Sequence, residues 1–206
     1  MTARGRFIAL EGGEGVGKST QLRAVAAALR ERGLRVAETR EPGGSDGAES
    51  IRRLLLDEQD WPIEAEALLF AAARADHVEK TIRPALERGD WVISDRFVDS
   101  SFAYQGGAGG LGIERIRELH NFACGGFLPD RALVLSLSAG ADRARARDGQ
   151  EPDRIGGRGG EFHHKVELAF QLLAAEEPER VRLVDASGSA ETVTERLIEA
   201  IADLLP

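Results

Sequence analysis

The sequence predicts an α/β protein: a parallel five-stranded sheet with helices on both faces. Three observations predict it. Short runs that are apolar without alternation recur along the chain, as strands buried on both faces require. Stretches of helical length separate them, so the signals alternate strand, helix, strand, helix. Directly after the first apolar run, Phe7-Ile8-Ala9-Leu10, come Gly12, Gly13, Gly15 and Gly17, followed by Lys18, Ser19 and Thr20.

The elements follow in order. Phe7 to Leu10 reads as a buried strand, and Lys18 to Arg32 as a helix stopped by Gly33. Val36 to Arg40 is the second strand, closed by the turn signal Glu41-Pro42-Gly43-Gly44. Helical stretches run from about Glu49 to Leu56 and from Glu64 to Glu87, with Arg83-Pro84 expected to kink the second. Trp91 to Ser94 is the third strand, and Gln105 to Gly112 reads as a glycine-rich loop. A helix from Ile113 to Ala123 leads to the fourth strand, Ala132 to Ser138. Arg143 to Arg147 reads as helical, 148–160 as a loop and Phe162 to Ala175 as a helix. Val181 to Asp185 is the fifth strand, and a helix from Glu191 to Leu204 closes the chain.

A length of 206 residues supports one domain, 1–206, with a mobile lid expected at about 147–160. The net charge of -8 argues against nucleic acid as a partner, because a phosphate backbone rewards basic surfaces. Cys124 is the single cysteine, so no internal disulfide framework exists. The start, MTARGRF, is too short and too charged for a signal peptide, which points to a reducing cytoplasm. No apolar run approaches the roughly 20 residues of a membrane helix, so no membrane partner is expected.

The spacing Gly12-x-x-x-x-Gly17-Lys18-Ser19 is a P-loop, in the strand-before, helix-after context that confirms one. Successive backbone N–H groups of residues 12–20, Glu14 and Val16 included, form an anion nest at a helix N-terminus. Lys18 reaches the outer phosphates of a nucleoside triphosphate such as ATP, and the Ser19 hydroxyl, with Thr20 behind it, suits Mg²⁺. Glu14 is an oddity inside an anion site; a sugar hydroxyl suits it better than phosphate. A P-loop names the donor, not the acceptor, and so leaves open a kinase for some nucleotide or deoxynucleoside and a switch ATPase. No Asn-Lys-x-Asp guanine motif is present.

Other candidates lie further along. Asp95 ends an apolar strand, where a carboxylate can hold Mg²⁺, and Arg96 beside it offers a planar fork for phosphate. Ser100 and Ser101 read as caps of a following short helix. Phe70 and Arg74 share one helix face; taken alone they read as core and core border. Arg143 and Arg147 stand one helical turn apart, a like-charge pairing that costs about 0.2 to 0.5 kcal/mol unless anionic phosphate reverses its sign.

FIALEGGEGVGKSTQ, TREPGG (39–44), DRFVDSSFAYQG (95–106) and RARARDGQEPDRI (143–155) together resemble the motif set of the thymidylate kinases, in the same order and across nearly the whole chain. The resemblance implies a P-loop nucleoside monophosphate kinase fold, homodimer formation, and transfer of the ATP γ-phosphoryl group to thymidine 5'-monophosphate (dTMP). It implies that Arg96 binds the acceptor phosphate, that Phe70 stacks on thymine and that Arg74 reads its edge. Pro42, Ser101, Tyr104 and Gln105 join that pocket, with Glu14 near the acceptor's 3'-hydroxyl. Some relatives carry an arginine where this chain has Gly15, so the catalytic cation is expected from the lid: Arg154 first and Arg147 second, with Arg143 against adenine.

Overall fold

The computed structural model describes residues 4–56, 60–137 and 154–206. Five strands, β1 (Phe7–Gly12), β2 (Val36–Arg40), β3 (Trp91–Asp95), β4 (Arg131–Ser136) and β5 (Val181–Asp185), form one parallel sheet in the order β2-β3-β1-β4-β5. Every residue of β1 is buried, as a central strand covered on both faces must be. Its side chains alternate between two cores: Phe7 and Ala9 face one layer of helices, Ile8 and Leu10 the other.

The Ile8 layer is closed by α1 (Lys18–Glu31) and by the C-terminal helix, Ala190–Glu199. Leu22, Val25, Ala26 and Leu29 recur at helical spacing on α1 and supply its buried stripe. On the opposite face lie α3 (Ile63–His77), α4 (Arg83–Glu87), α5 (Val98–Ser101), α6 (Ile113–Cys124) and α7 (Gly160–Glu176). The short α2 (Asp46–Leu56) packs beside α3.

One expectation is refined and one corrected. The stretch 64–87 is helical through Pro84, and directly before that proline Val78–Ile82 winds as a π-turn that joins α3 to α4. The wide turn accommodates a proline ring that would collide with the carbonyl four residues back in a regular helix. The glycine-rich segment is not wholly a loop: Phe102–Ala108 is a second π-helical segment, and only the residues after it turn. Its glycine serves packing, since a Cβ on Gly107 would press on Ala169 of α7 at 2.7 Å. The fourth strand ends at Ser136, and the expected helix 143–147 falls outside the described residues, as does 147–153 of the expected lid.

Chain order reverses on either side of β1, which places the turn after β1 at the crevice where such sheets bind ligands. Gly12 makes that turn possible: its φ is +127°, and an added Cβ would strike the Leu135 carbonyl of β4. Gly12→Ala is therefore expected to cost more than about 2 kcal/mol in equilibrium urea unfolding. Gly13→Ala, whose Cβ would meet nothing closer than Val16 at 4.0 Å, should stay within about 0.5 kcal/mol of the parent. Equal unfolding midpoints for the two variants would contradict this account of the turn.

Candidate active site

The turn from β1 into α1 gathers polar groups at the carboxyl edge of the sheet. Lys18 is buried, and its ammonium donates to the carbonyls of Gly12 (3.3 Å) and Gly13 (2.5 Å). Burial, helped by the neighbouring Arg96 cation, pulls its pKa down to about 8. The β1–β3 register sets Asp95 beside Leu10, one strand from the turn, and the Ser19 hydroxyl donates to the Asp95 carboxylate at 2.7 Å. Thus the two residues expected to hold a metal stand together. No cluster of three or more His, Cys, Asp or Glu side chains suited to a metal exists among the described residues.

Arg96 is the residue that ties the strand ends into a site. Its backbone lies in the left-handed region (φ 69°), unusual for a side-chain-bearing residue, while its N–H donates to the Leu10 carbonyl at 2.8 Å. That conformation turns the guanidinium back over the β1 turn, where it donates to the Gly12 carbonyl (2.9 Å) and pairs with Glu14 (2.5 Å). The Tyr104 ring covers its other side, 5.1 Å from the guanidinium carbon. Burial would raise the Glu14 pKa, but Arg96 and Lys18 outweigh it and hold the carboxyl below its ordinary range. Glu11, fully buried, anchors the segment from beneath by accepting from the Phe97 N–H and the Ser100 hydroxyl. Burial and the nearby Asp99 push its pKa up to about 8.

A cavity of about 460 Å³ opens beside this cluster. On one wall stand Glu14, Gly15, Gly17, Lys18, Ser19 and Thr20; on the other, Pro42, Phe70, Ser101, Tyr104 and Gln105. Asp95 and Arg96 lie among them. The structure therefore brings most of the expected donor and acceptor residues to one space. Phe70 keeps part of its ring accessible while packing on the core, so both sequence readings of it have substance. Gly12, Gly13 and Val16 open to a second cavity, of about 250 Å³, between β4 and α7.

Other expected residues are placed elsewhere. Arg74 is 2% exposed and does not line the cavity; it pairs with Glu41 (2.7 Å) and donates to Ser101 (2.9 Å) just behind the wall. Ser100 and Ser101 do not act as N-caps: they sit inside α5, whose cap position is Phe97, with no side-chain cap bond. Arg154 is not at the β1 turn but on the buried Glu66 carboxylate at 2.5 Å. Arg143 and Arg147 lie outside the described residues.

Several site residues escaped sequence reasoning. Arg23, Arg40 and Arg52 add positive charge to the cavity wall, and Glu41 adds a carboxylate. Glu11 had a legible signal, a carboxylate directly continuing an apolar strand. Glu66 had none, since an acid in the first turn of a helix is ordinary.

Comparison with known proteins agrees with this geometry. A family model described as thymidylate kinase matches residues 10–197. A thymidylate kinase of Rhizorhabdus wittichii is 61% identical over 206 residues, covering 98% of this chain and 99% of the relative. That of Nitrosospira multiformis is 46% identical, covering 98% of each. The crystal structure of thymidylate kinase from Ehrlichia chaffeensis matches with a TM-score of 0.80 at 30% identity, covering 96% of this chain and 99% of that one. The match spans the β1 turn, the cavity and the helices that wall it, and by it this chain belongs to the thymidylate kinase family.

Proposed function

We propose that this protein transfers the γ-phosphoryl group of ATP to dTMP, giving ADP and thymidine diphosphate, with the two nucleotides meeting in the cavity beside Arg96. The observation that carries the residue-level reading is the Arg96 guanidinium held against the β1 turn by Gly12 and Glu14. An acceptor phosphate on that guanidinium lies next to whatever phosphate the turn itself binds. Membership in the thymidylate kinase family supports the choice of substrates.

The mechanism this supports is positioning plus charge neutralisation. The acceptor is already a phosphate oxygen, so no protein base has to deprotonate a hydroxyl. Backbone N–H groups of residues 13–18 and the Lys18 ammonium hold the donor's outer phosphates. Arg96 orients the acceptor phosphate, and Phe70, Pro42, Ser101, Tyr104 and Gln105 enclose its nucleoside. Glu14, directed at Arg96 and with the Tyr104 hydroxyl 3.5 Å away, faces the sugar side of the cavity. Arg154, seated on Glu66, and Arg147 are the lid cations assigned by resemblance to the transferring group. Ser19 and Asp95 fit Mg²⁺, which keeps most of its shell as water and phosphate and needs few protein ligands. When bound there it would neutralise charge on the donor phosphates.

The same reading includes a homodimer, for which exposed Leu68 on α3 and Phe122 on the neighbouring α6 supply apolar area. It includes the cytoplasm as compartment, supported by a single cysteine, Cys124, which is free and leaves no internal disulfide. Among the described residues no helix is long and apolar enough to cross a membrane.

Two outcomes test the assignment. Phe70→Ala should raise the KM for dTMP by about 5- to 150-fold, the worth of about 1–3 kcal/mol of base stacking, with the KM for ATP nearly unchanged. Loss of thermal stability with unaltered dTMP kinetics would make Phe70 a core residue only. The second concerns Lys18, whose ammonium deprotonates near pH 8 in the free protein while bound phosphate raises its pKa again. Nucleotide binding then takes up a proton above pH 8, so the Kd for ATP should be level near pH 7. It should rise toward about tenfold per pH unit above 8. A Lys18→Arg variant should bind without that slope, and a flat parent profile from pH 7 to 9.5 would contradict the placement of Lys18 on phosphate.

A further inference from the structure

Glu66 lies on α3 with no exposed surface, outside the lining of the cavity, and its hydrogen-bond partners among the described residues are all donors. One oxygen, Oε2, accepts from Arg154 at 2.5 Å and from Arg158 at 2.6 Å. The other, Oε1, accepts from the side-chain amide of Gln105 at 2.9 Å. Gln105 is itself 1% exposed and lines the cavity. Burying a carboxylate at this depth is costly unless it is paired and hydrogen-bonded, and the catalytic reading above gives it no task.

We propose that Glu66 sets which end of the Gln105 amide the acceptor pocket presents, and thereby sets base specificity. A carboxylate engaged on both oxygens has no hydrogen to offer, so only the amide NH₂ can face it. The carbonyl oxygen of Gln105 is then the end left for the cavity, fixed as an acceptor. An acceptor at that point suits a pyrimidine whose ring N3 carries hydrogen, as in thymine and uracil. It opposes cytosine, whose N3 is itself an acceptor and would leave two buried acceptors facing each other. Arg154 and Arg158 neutralise the charge that makes the arrangement rigid, so the base pocket and the segment 154–158 share one carboxylate. Glu66 on this view is a positioning residue; it need not touch either nucleotide.

The inference rests on the cavity being the dTMP pocket, and the test separates the two. kcat and KM are measured with dTMP and with deoxycytidine monophosphate (dCMP) for the parent, Glu66→Gln, Gln105→Leu and the exchange Glu66→Gln/Gln105→Glu, each with a thermal melt. In Glu66→Gln the facing amide can offer either end, so Gln105 is free to turn. The preference in kcat/KM for dTMP over dCMP should fall by about 10-fold or more. The change should lie chiefly in KM, dTMP rising and dCMP falling. The exchange should restore preference for dTMP, because the amide introduced at position 66 donates to the carboxylate introduced at position 105, whose other oxygen remains an acceptor. If Glu66→Gln does not fold, the exchange alone decides, since it keeps one carboxylate and one amide in the buried pair. An unchanged preference in Glu66→Gln, or equal loss with both nucleotides, or an exchange that still lacks the preference, would overturn the proposal. If Gln105→Leu leaves dTMP kinetics untouched, the pocket assignment itself fails; if it impairs dTMP while Glu66→Gln retains full preference, only the role of Glu66 falls.

Discussion

Arg96 carries the architecture from sheet to site. Its amide closes onto β1 through Leu10 while its side chain returns to the β1 turn through Gly12 and Glu14. The left-handed backbone at φ 69° goes with the return of the side chain to the turn, and it costs energy in a residue with a side chain. The surroundings compensate for it: Glu11 takes the next N–H, that of Phe97, and Ser100 bridges Glu11 and the guanidinium. Without this clasp the donor turn and the acceptor wall would be neighbouring loops with no fixed separation. Phosphoryl transfer depends chiefly on that separation, because little else is asked of the protein chemically.

A second buried network holds the acceptor wall. Glu41, at the end of β2, receives Arg74 on one oxygen and the His77 ring on the other, and His77 in turn meets Thr39 at 2.7 Å. Charges this deep gain little net stability from pairing, yet removing one partner of such a pair costs about 3–5 kcal/mol. The network fixes α3 against the carboxyl edge of β2, and α3 is the element that bears both Phe70 and Glu66. Positional accuracy at the base pocket thus comes from buried carboxylates as well as from apolar packing.

Much of the fold was legible because its signals are local. β2 and β5 fall on the expected residues, Val36–Arg40 and Val181–Asp185, since turn residues bound each short run on both sides: Gly33 and Pro42-Gly43-Gly44 for the one, Pro178 and Ser187-Gly188 for the other. The β1 turn was legible for the same reason, its glycines, lysine and hydroxyls being contiguous. Gly106 and Gly107 misled because their cause is packing: the start of α6 approaches Gly106 and α7 approaches Gly107, which a run of glycines does not by itself record. The π-turn at Val78–Ile82 escaped because an apolar pattern cannot separate 3.6 from slightly more residues per turn over one turn. The resemblance singles out Arg154 as a lid cation, but its partner Glu66 lies 88 residues away, a distance at which sequence offers no pairing rule.

The central claim is that Arg96 fixes an acceptor phosphate beside the phosphates held by the β1 turn. A crystal structure of the protein with dTMP and a non-hydrolysable ATP analogue measures this directly. The account expects the dTMP phosphate within hydrogen-bond distance of the Arg96 guanidinium, thymine against Phe70, and the analogue's terminal phosphate over Lys18, end to end with it. A dTMP molecule docked away from Arg96, or phosphates too far apart for in-line transfer with Arg96 still clasped to Gly12, would contradict it.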